Sequence, residues 1–115
     1  MSEAIKLFEN RRSIYAIGNE LPISEEEVTA LIKAAVKASP SSFNSQTSRV
    51  VILMDDAHQK LWNIVEKTLE PLTPVEAFPN TQAKLASFAA GKGTILFFED
   101  MDVVRSLQEQ FALYA

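Results

Sequence analysis

Apolar residues recur at helical spacing near the start of the chain and predict a short helix that ends near Asn10. Ser2 is placed to cap it, and Ala4, Ile5 and Phe8 fall on the side expected to face inward. The helix runs into Asn10-Arg11-Arg12-Ser13, where two arginines stand side by side. Adjacent residues point about 100° apart on a helix, so both guanidinium groups reach one ligand only if the backbone turns there.

A second helix has the clearest start signal in the chain. Ser24 and Glu27 form a capping box, and Ile23 with Val28 is placed as a hydrophobic staple. Apolar residues then repeat every three or four positions and predict one buried face, formed by Val28, Leu31, Ile32 and Ala35. Pro40 ends this helix, since the residue before a proline is pushed out of the helical region.

Two continuous apolar runs predict strands, Val50–Leu53 and Thr94–Phe98. Both are rich in β-branched or aromatic residues, which is typical of strands covered on both faces. Gly91-Lys92-Gly93 predicts the turn before the second strand.

Helical patterns lie between and after the strands. Asp55 or Asp56 is expected to cap a third helix that ends at Pro71, and Asp100 a last helix. A shorter helix is expected from Gln82 to Ala90. The predicted inward residues are Leu61, Trp62, Ile64 and Val65 in the third helix and Val103, Val104, Leu107 and Phe111 in the last.

The order of elements predicts an α/β or α+β domain, with helices flanking a central sheet. Only two strands are evident, and a two-stranded sheet rarely makes a stable fold alone. The last helical pattern also runs to Tyr114-Ala115 without a glycine cap or a proline. We therefore expect residues 1–115 to form a single domain that is incomplete at its C-terminal end.

Composition limits the possible functions. The 115 residues are 47% hydrophobic and 23% charged, as in an ordinary soluble globular protein. The net charge of -4 disfavours a nucleic-acid partner or an anionic membrane surface. There is no cysteine, which excludes disulfides and thiolate chemistry. Without an apolar signal core or a bilayer-spanning run, a cytoplasmic location is expected.

Several charged residues have structural explanations. We expect His58 to be a surface helix residue, because it lacks the partners of a metal site or a catalytic triad. The acidic pairs Asp55-Asp56 and Glu99-Asp100 could bind a divalent ion, but helix capping is the favoured role. Gly91-Lys92-Gly93 precedes a strand, whereas a phosphate loop follows one, so no P-loop is predicted.

Two polar segments remain as candidate binding sites. Arg11-Arg12-Ser13 offers the forked donors and the hydroxyl that a phosphate monoester requires, although it could equally be a solvated helix end. Ser39–Gln46 offers hydroxyls and carboxamides suited to the edge of a heteroaromatic ring, although it could equally be a plain helix stop. A phosphate clamp together with a ring-edge loop suggests a nucleotide-like cofactor.

In their sequence and spacing, these two segments resemble the FMN-dependent nitroreductase family. Ser39-Pro40-Ser41-Ser42-Phe43-Asn44-Ser45-Gln46 before a strand is the more specific motif, and Arg11-Arg12-Ser13 is weak alone. The resemblance covers all 115 residues, which correspond to the N-terminal half or slightly more of a family member. It is greatest to a divergent branch with small bacterial and fungal members, some described as stress-response or fatty-acid-regulation proteins.

The resemblance implies roles for individual residues. Arg11 and Arg12 would hold the FMN phosphate and ribityl chain, with Ser13 beside them. Ser41, Ser42 and Asn44 would line the isoalloxazine ring, and Pro40 and Gln46 would shape the loop that carries them. In this family the flavin lies at a homodimer interface, so the two segments would contact one FMN from different subunits.

Two positions depart from the family pattern. Tyr15, which would lie near the flavin, stands where members often carry a basic residue that stabilises the reduced, anionic flavin. Thr47-Ser48 stands where members often have Pro-Trp after the glutamine.

The function implied by the resemblance is FMN-dependent oxidoreduction. NADH or NADPH would reduce the flavin, and a nitroaromatic, quinone or similar small molecule would then accept the electrons in a ping-pong cycle. The protein would bind and orient the flavin, and no side chain need act as an acid or base. The alternatives are a non-enzymatic flavin-binding or regulatory protein of the same family, and an inactive, flavin-free fragment.

Overall fold

The computed structural model describes residues 2–112, which form five α-helices and two β-strands. In chain order these are α1 (Glu3–Asn10), α2 (Glu25–Ala38), β1 (Ser48–Met54), α3 (Asp55–Leu69), α4 (Phe78–Ala89), β2 (Gly93–Glu99) and α5 (Met101–Gln110). Every helix and strand predicted from the sequence is present. The chain end at Tyr114-Ala115 lies outside the described residues.

Three helix starts are capped as the sequence predicts. The Ser2 hydroxyl accepts from the Ile5 amide, and the Asp100 carboxylate accepts from the Val103 amide. The Ser24 hydroxyl accepts from the Glu27 amide at 3.1 Å. The structure confirms these three caps. They could be predicted because each joins residues within one helical turn.

The start of α3 differs from the prediction. Met54 is its cap residue, and no side chain makes a capping bond there. Asp55 instead takes a left-handed φ of 50° at the abrupt junction between β1 and α3. Its carboxylate accepts from the Lys92 ammonium at 2.8 Å, and Lys92 also reaches Glu25 at 3.1 Å. The hydrogen bond to Asp55 raises the pKa of Lys92 most, and the bond to Glu25 adds to the effect. Through these two bonds Lys92 links the starts of α2 and α3.

The α4 helix starts earlier than predicted, at Phe78 rather than Gln82. Pro79 lies in its first turn, where a proline fits because that amide has no helical partner. One turn of 3₁₀-helix, Glu70–Leu72, follows α3 and carries Pro71.

The strands β1 and β2 pair antiparallel, from Ser48 opposite Glu99 to Met54 opposite Gly93. Because side chains alternate across a strand, Ile52 and Ile95 share one face, and Leu53 and Thr94 share the other. The first face meets α2 across a cavity of about 250 Å³ that Val28 and Ile32 also line. The second face meets α3, so helices flank the sheet as predicted.

The expectation that both strand faces are covered is wrong for residues 2–112. Val51 is 42% exposed, Phe98 51% and Phe97 73%. The α1 prediction is wrong in the same way, since Phe8 is 74% exposed and the helix has no buried residue. No element within residues 2–112 covers these apolar surfaces.

The whole molecule is extended for its length. Its radius of gyration is 18.2 Å, whereas a compact domain of this length has about 13 Å. Its accessible surface is 9414 Å², whereas a compact monomer of this mass has about 6,300 Å². Residues 2–22 contribute strongly to this excess, because every one of them is exposed. We call residues 2–22 the N-terminal arm.

Candidate functional site

Ser39–Gln46 forms a tight loop between α2 and β1. The Ser39 hydroxyl donates to the Ala35 carbonyl at 2.7 Å and closes the last turn of α2. The Ser41 hydroxyl then accepts from the Gln46 amide at 2.9 Å and bridges the base of the loop. The loop is therefore held in its fold by its own hydroxyl groups.

The loop backbone is strained at three non-glycine residues. Phe43, Asn44 and Gln46 have φ of 55°, 53° and 53° in the left-handed region. Asparagine tolerates this region, but a bulky aromatic residue rarely adopts it. Backbone held this way persists only where surrounding contacts enforce it, and such strain clusters at functional sites. One enforcing contact is the ring of Phe111, which stacks on Phe43 at a centroid distance of 4.7 Å and an angle of 7°.

A cavity of about 390 Å³ lies between the loop and the sheet, and we call it the loop–sheet cavity. Five of the predicted flavin residues are in the loop, and four of these line it. They are Pro40, Ser41, Asn44 and Gln46. Val36, Val50 and Phe97 supply an apolar wall opposite. The fifth, Ser42, lines a different cavity.

A second cavity, of about 440 Å³, lies on the other side of the loop against α5, and we call it the loop–α5 cavity. Ser42 and Phe43 line it from the loop, and Val104, Leu107 and Phe111 line it from the α5 side. Pro40, Ser41 and Ser48 line both cavities, so the loop is the partition between them.

The predicted arginine cluster lies elsewhere, in the N-terminal arm. The chain leaves α1 at Arg11, whose backbone is extended, so neither arginine continues the helix. Arg12 donates to the carbonyls of Glu9 and Arg11, both at 3.1 Å. Arg11, Arg12, Ser13 and Tyr15 are all exposed, and no arm residue lines either loop cavity. One copy of residues 2–112 thus does not bring the two predicted segments together.

At its C-terminal end the loop meets the end of β2, a contact that sequence analysis missed. The Thr47 hydroxyl donates to Glu99 Oε2 at 2.6 Å, and the Ser48 hydroxyl donates to Oε1 at 3.0 Å. The bond from Thr47 lowers the pKa of Glu99, and the bond from Ser48 and the nearby charge of Arg49 act in the same direction. The Thr47-Ser48 departure from the family pattern therefore has a structural role here. No local pattern signals a pairing of residues 52 positions apart.

The prediction for His58 is wrong. It is only 1% exposed, and its ring lies between α3, β2 and the end of α4. Nε2 lies 3.0 Å from the Ala89 carbonyl, which only accepts, so Nε2 carries the proton. Nδ1 then accepts from the Thr94 hydroxyl at 2.7 Å, and Thr94 accepts from the Trp62 indole at 2.9 Å. The histidine is a satisfied core residue, and its bonds to Thr94 and Ala89 were not expected from the sequence.

Comparisons with known proteins identify the family of this chain. The family model described as "Nitroreductase family" matches residues 8–114. The chain belongs to the nitroreductase family. HBN1 of Saccharomyces cerevisiae is 34% identical over 113 residues, which are 96% of this chain and 55% of HBN1. The nitroreductase FRM2 of the same yeast is 31% identical over 111 residues, covering 92% of this chain and 53% of FRM2.

Solved structures of nitroreductases share the fold. The nitroreductase CinD from Lactococcus lactis, in complex with chloramphenicol, superposes with a TM-score of 0.80 at 50% sequence identity. That match covers 98% of this chain and 56% of CinD. The chain of this nitroreductase family member thus spans about half the length of the relatives it matches. Among residues 2–112, no helix is both long and apolar enough to cross a membrane.

Proposed function

We propose that this chain is part of an FMN-dependent NAD(P)H oxidoreductase that reduces nitroaromatics, quinones or similar acceptors by ping-pong hydride transfer. The observation that carries the proposal is the strained Ser39–Gln46 loop on the rim of the loop–sheet cavity. Family membership supports the oxidoreductase class, and solved complexes of CinD contain chloramphenicol, 4-nitrophenol or nicotinic acid.

The chemistry of the loop–sheet cavity fits a flavin ring. Its volume of about 390 Å³ falls in the usual range for small-molecule sites. Asn44 and Gln46 offer carboxamide donors and acceptors at one rim, where a ring edge carries nitrogen and carbonyl groups. Val50 and Phe97 offer an apolar surface against which a flat ring can pack.

Bound FMN would supply the hydride chemistry, and the residues of this chain would position it. The Ser41 hydroxyl holds the loop closed through the Gln46 amide, so the ring-facing groups are arranged before the cofactor binds. Lys37 also lines the loop–sheet cavity. Its ammonium group would supply near the flavin the positive charge that Tyr15 lacks. Arg11 and Arg12 would hold the phosphate through charge-assisted hydrogen bonds.

We also propose that the active protein is a homodimer with a shared flavin site. Arg11–Ser13 and the loop do not meet within one copy of residues 2–112, so a second copy would have to supply one of them. The N-terminal arm exposes apolar side chains that an interface would bury, including Leu7, Phe8 and Ile14. A cytoplasmic location accompanies this proposal, because NAD(P)H is available there.

The test is a visible absorption spectrum of the purified protein with added FMN, before and after anaerobic NADH or NADPH. A protein-bound flavin band that bleaches supports the oxidoreductase. A bound band that does not bleach supports instead a flavin-binding protein without turnover. Tyr15, which stands where family members often carry a basic residue, would favour that outcome. Absence of bound flavin at saturating FMN would overturn both the oxidoreductase and the flavin-binding protein.

Arg11→Ala tests the phosphate assignment. Losing charge-assisted hydrogen bonds should raise the Kd for FMN about ten- to a hundredfold. Lys6→Ala, which removes one positive charge from an exposed position of α1, should leave the Kd unchanged. Equal Kd values for wild type and Arg11→Ala would remove Arg11 from the site.

A further inference from the structure

The loop–α5 cavity has an apolar end. Met101, Val104 and Leu107 recur every three residues and present one face of α5 to the cavity, and Phe111 continues this face just after the helix ends. Phe43 meets this face from the loop and stacks on Phe111. Stacked rings beside aliphatic side chains make a surface suited to another flat aromatic molecule.

Its other end carries one negative charge. Glu99 is the only ionisable side chain among the residues that line the loop–α5 cavity within residues 2–112. Both of its oxygens accept from hydroxyl groups, Thr47 Oγ1 and Ser48 Oγ, so the carboxylate is held in one orientation. Thr47 is itself only 5% exposed, which fixes the donor.

The charge on Glu99 is not neutralised by an ion pair. Hydroxyl donors orient a carboxylate without cancelling its charge. The charge of Arg49 acts on Glu99, but the salt bridge of Arg49 is to Asp100 at 3.5 Å. Within the described part of the chain, Glu99 therefore presents an unpaired negative charge to an otherwise neutral cavity.

We propose that the loop–α5 cavity binds small aromatic molecules carrying a cationic amine, and that Glu99 selects these over aromatic carboxylates. The aromatic ring would pack against Phe43 and the α5 face, with the amine directed to Glu99. Because Pro40, Ser41 and Ser48 line both cavities, such a ligand would lie across the loop from the proposed flavin. Only this placement across the loop from a bound flavin rests on the proposed function.

The experiment measures Kd by isothermal titration for three ligands of matched shape, at pH 7 and low salt. They are 4-nitrobenzylamine, 4-nitrobenzyl alcohol and 4-nitrobenzoate, which are cationic, neutral and anionic. Opposite unit charges about 4 Å apart attract by about 1 kcal/mol even in water, or about fivefold in Kd. We expect the amine to bind at least about fivefold more tightly than the carboxylate, and the preference to shrink in high salt.

Two charge-matched variants locate the effect. Glu99→Gln keeps a hydrogen-bonding side chain but removes the charge, so it should bind the three ligands with similar Kd. Glu109→Gln removes an exposed charge from α5 outside the cavity and should keep the wild-type preference. Val104→Phe should weaken all three ligands, because it fills the apolar end.

Several results would overturn the proposal. They are equal Kd values for amine and carboxylate in the wild type, an undiminished preference in Glu99→Gln, or no saturable binding of any ligand. The salt dependence in the wild type tests the proposal even if Glu99→Gln fails to fold. A preserved amine preference without flavin binding would overturn only the proposed oxidoreductase, and bleaching flavin without a preference would overturn only this inference.

Discussion

His58 shows how much one side chain depends on its surroundings. On α3 it follows two aspartates at an apparent surface position, yet the folded chain buries it with both ring nitrogens bonded. The bonds reach Thr94 on β2 and Ala89 at the end of α4, so one imidazole connects three elements. Its role in this chain is to hold the helices against the sheet.

Replacing His58 by alanine should therefore destabilise the fold. The change leaves a cavity and removes two buried hydrogen bonds, and should cost about 2–4 kcal/mol of the free energy of unfolding. Gln59→Ala is the matched control, because the exposed Gln59 side chain donates to the same Ala89 carbonyl at 2.8 Å. That control should cost less than about 1 kcal/mol. Urea unfolding of both variants measures the difference, and equal losses would contradict the core role of His58.

At the scale of elements, the close pairing of β1 and β2 depends on a small residue at Gly93. A Cβ built there would lie 2.6 Å from Met54 Sδ and 2.7 Å from the Leu53 carbonyl oxygen. Since the second neighbour is backbone, only movement of a strand could relieve the clash. The glycines therefore have different roles, because a Cβ at Gly18 would meet nothing within 4 Å.

Gly93→Ala should weaken the sheet. Forcing a methyl group against backbone should cost about 1–3 kcal/mol of the free energy of unfolding. Gly18→Ala adds the same atoms in open space and should change that free energy by less than about 1 kcal/mol. Thermal unfolding monitored by circular dichroism compares the two variants. A Gly93→Ala protein as stable as Gly18→Ala would show that the strands can separate without cost.

At the scale of the whole molecule, the exposed apolar surface is the main feature. The accessible area exceeds that of a compact monomer of this mass by about 3,000 Å², well above the 800 Å² or so that each partner buries in a standard interface. Much of the excess belongs to the N-terminal arm and to exposed strand residues such as Phe97. A second copy that covered these surfaces would remove them from water.

We expect light scattering after size exclusion to show a particle of twice the 12.8 kDa chain mass. Phe8→Glu should shift the mass toward the monomer, because it places a charge on an apolar side chain that is 74% exposed in the single chain. Asn10→Glu adds the same charge at a polar position of α1 and should leave the dimer intact. A wild-type protein that stays monomeric at every concentration would contradict the dimer proposal.

The sequence by itself determined the features that depend on neighbouring residues. The caps at Ser2, Ser24 and Asp100 were predictable because the donor amides lie within one helical turn. The end of α2 before Pro40 and the two strands followed from local backbone and side-chain preferences. The Ser39–Gln46 motif was recognisable for the same reason, since all its residues are contiguous.

Tertiary structure decided the features that join distant positions. The burial of His58, the hydroxyl pair that holds Glu99 and the link from Lys92 to Glu25 each connect residues more than thirty positions apart. Asp55 likewise has a left-handed φ at the junction of β1 and α3, and its carboxylate accepts a hydrogen bond from Lys92. Such pairings depend on how strands register and helices pack, and local sequence carries no signal for them. Both loop cavities arise in this way, because Phe97 of β2 helps to line the loop–sheet cavity and residues of α5 help to line the loop–α5 cavity.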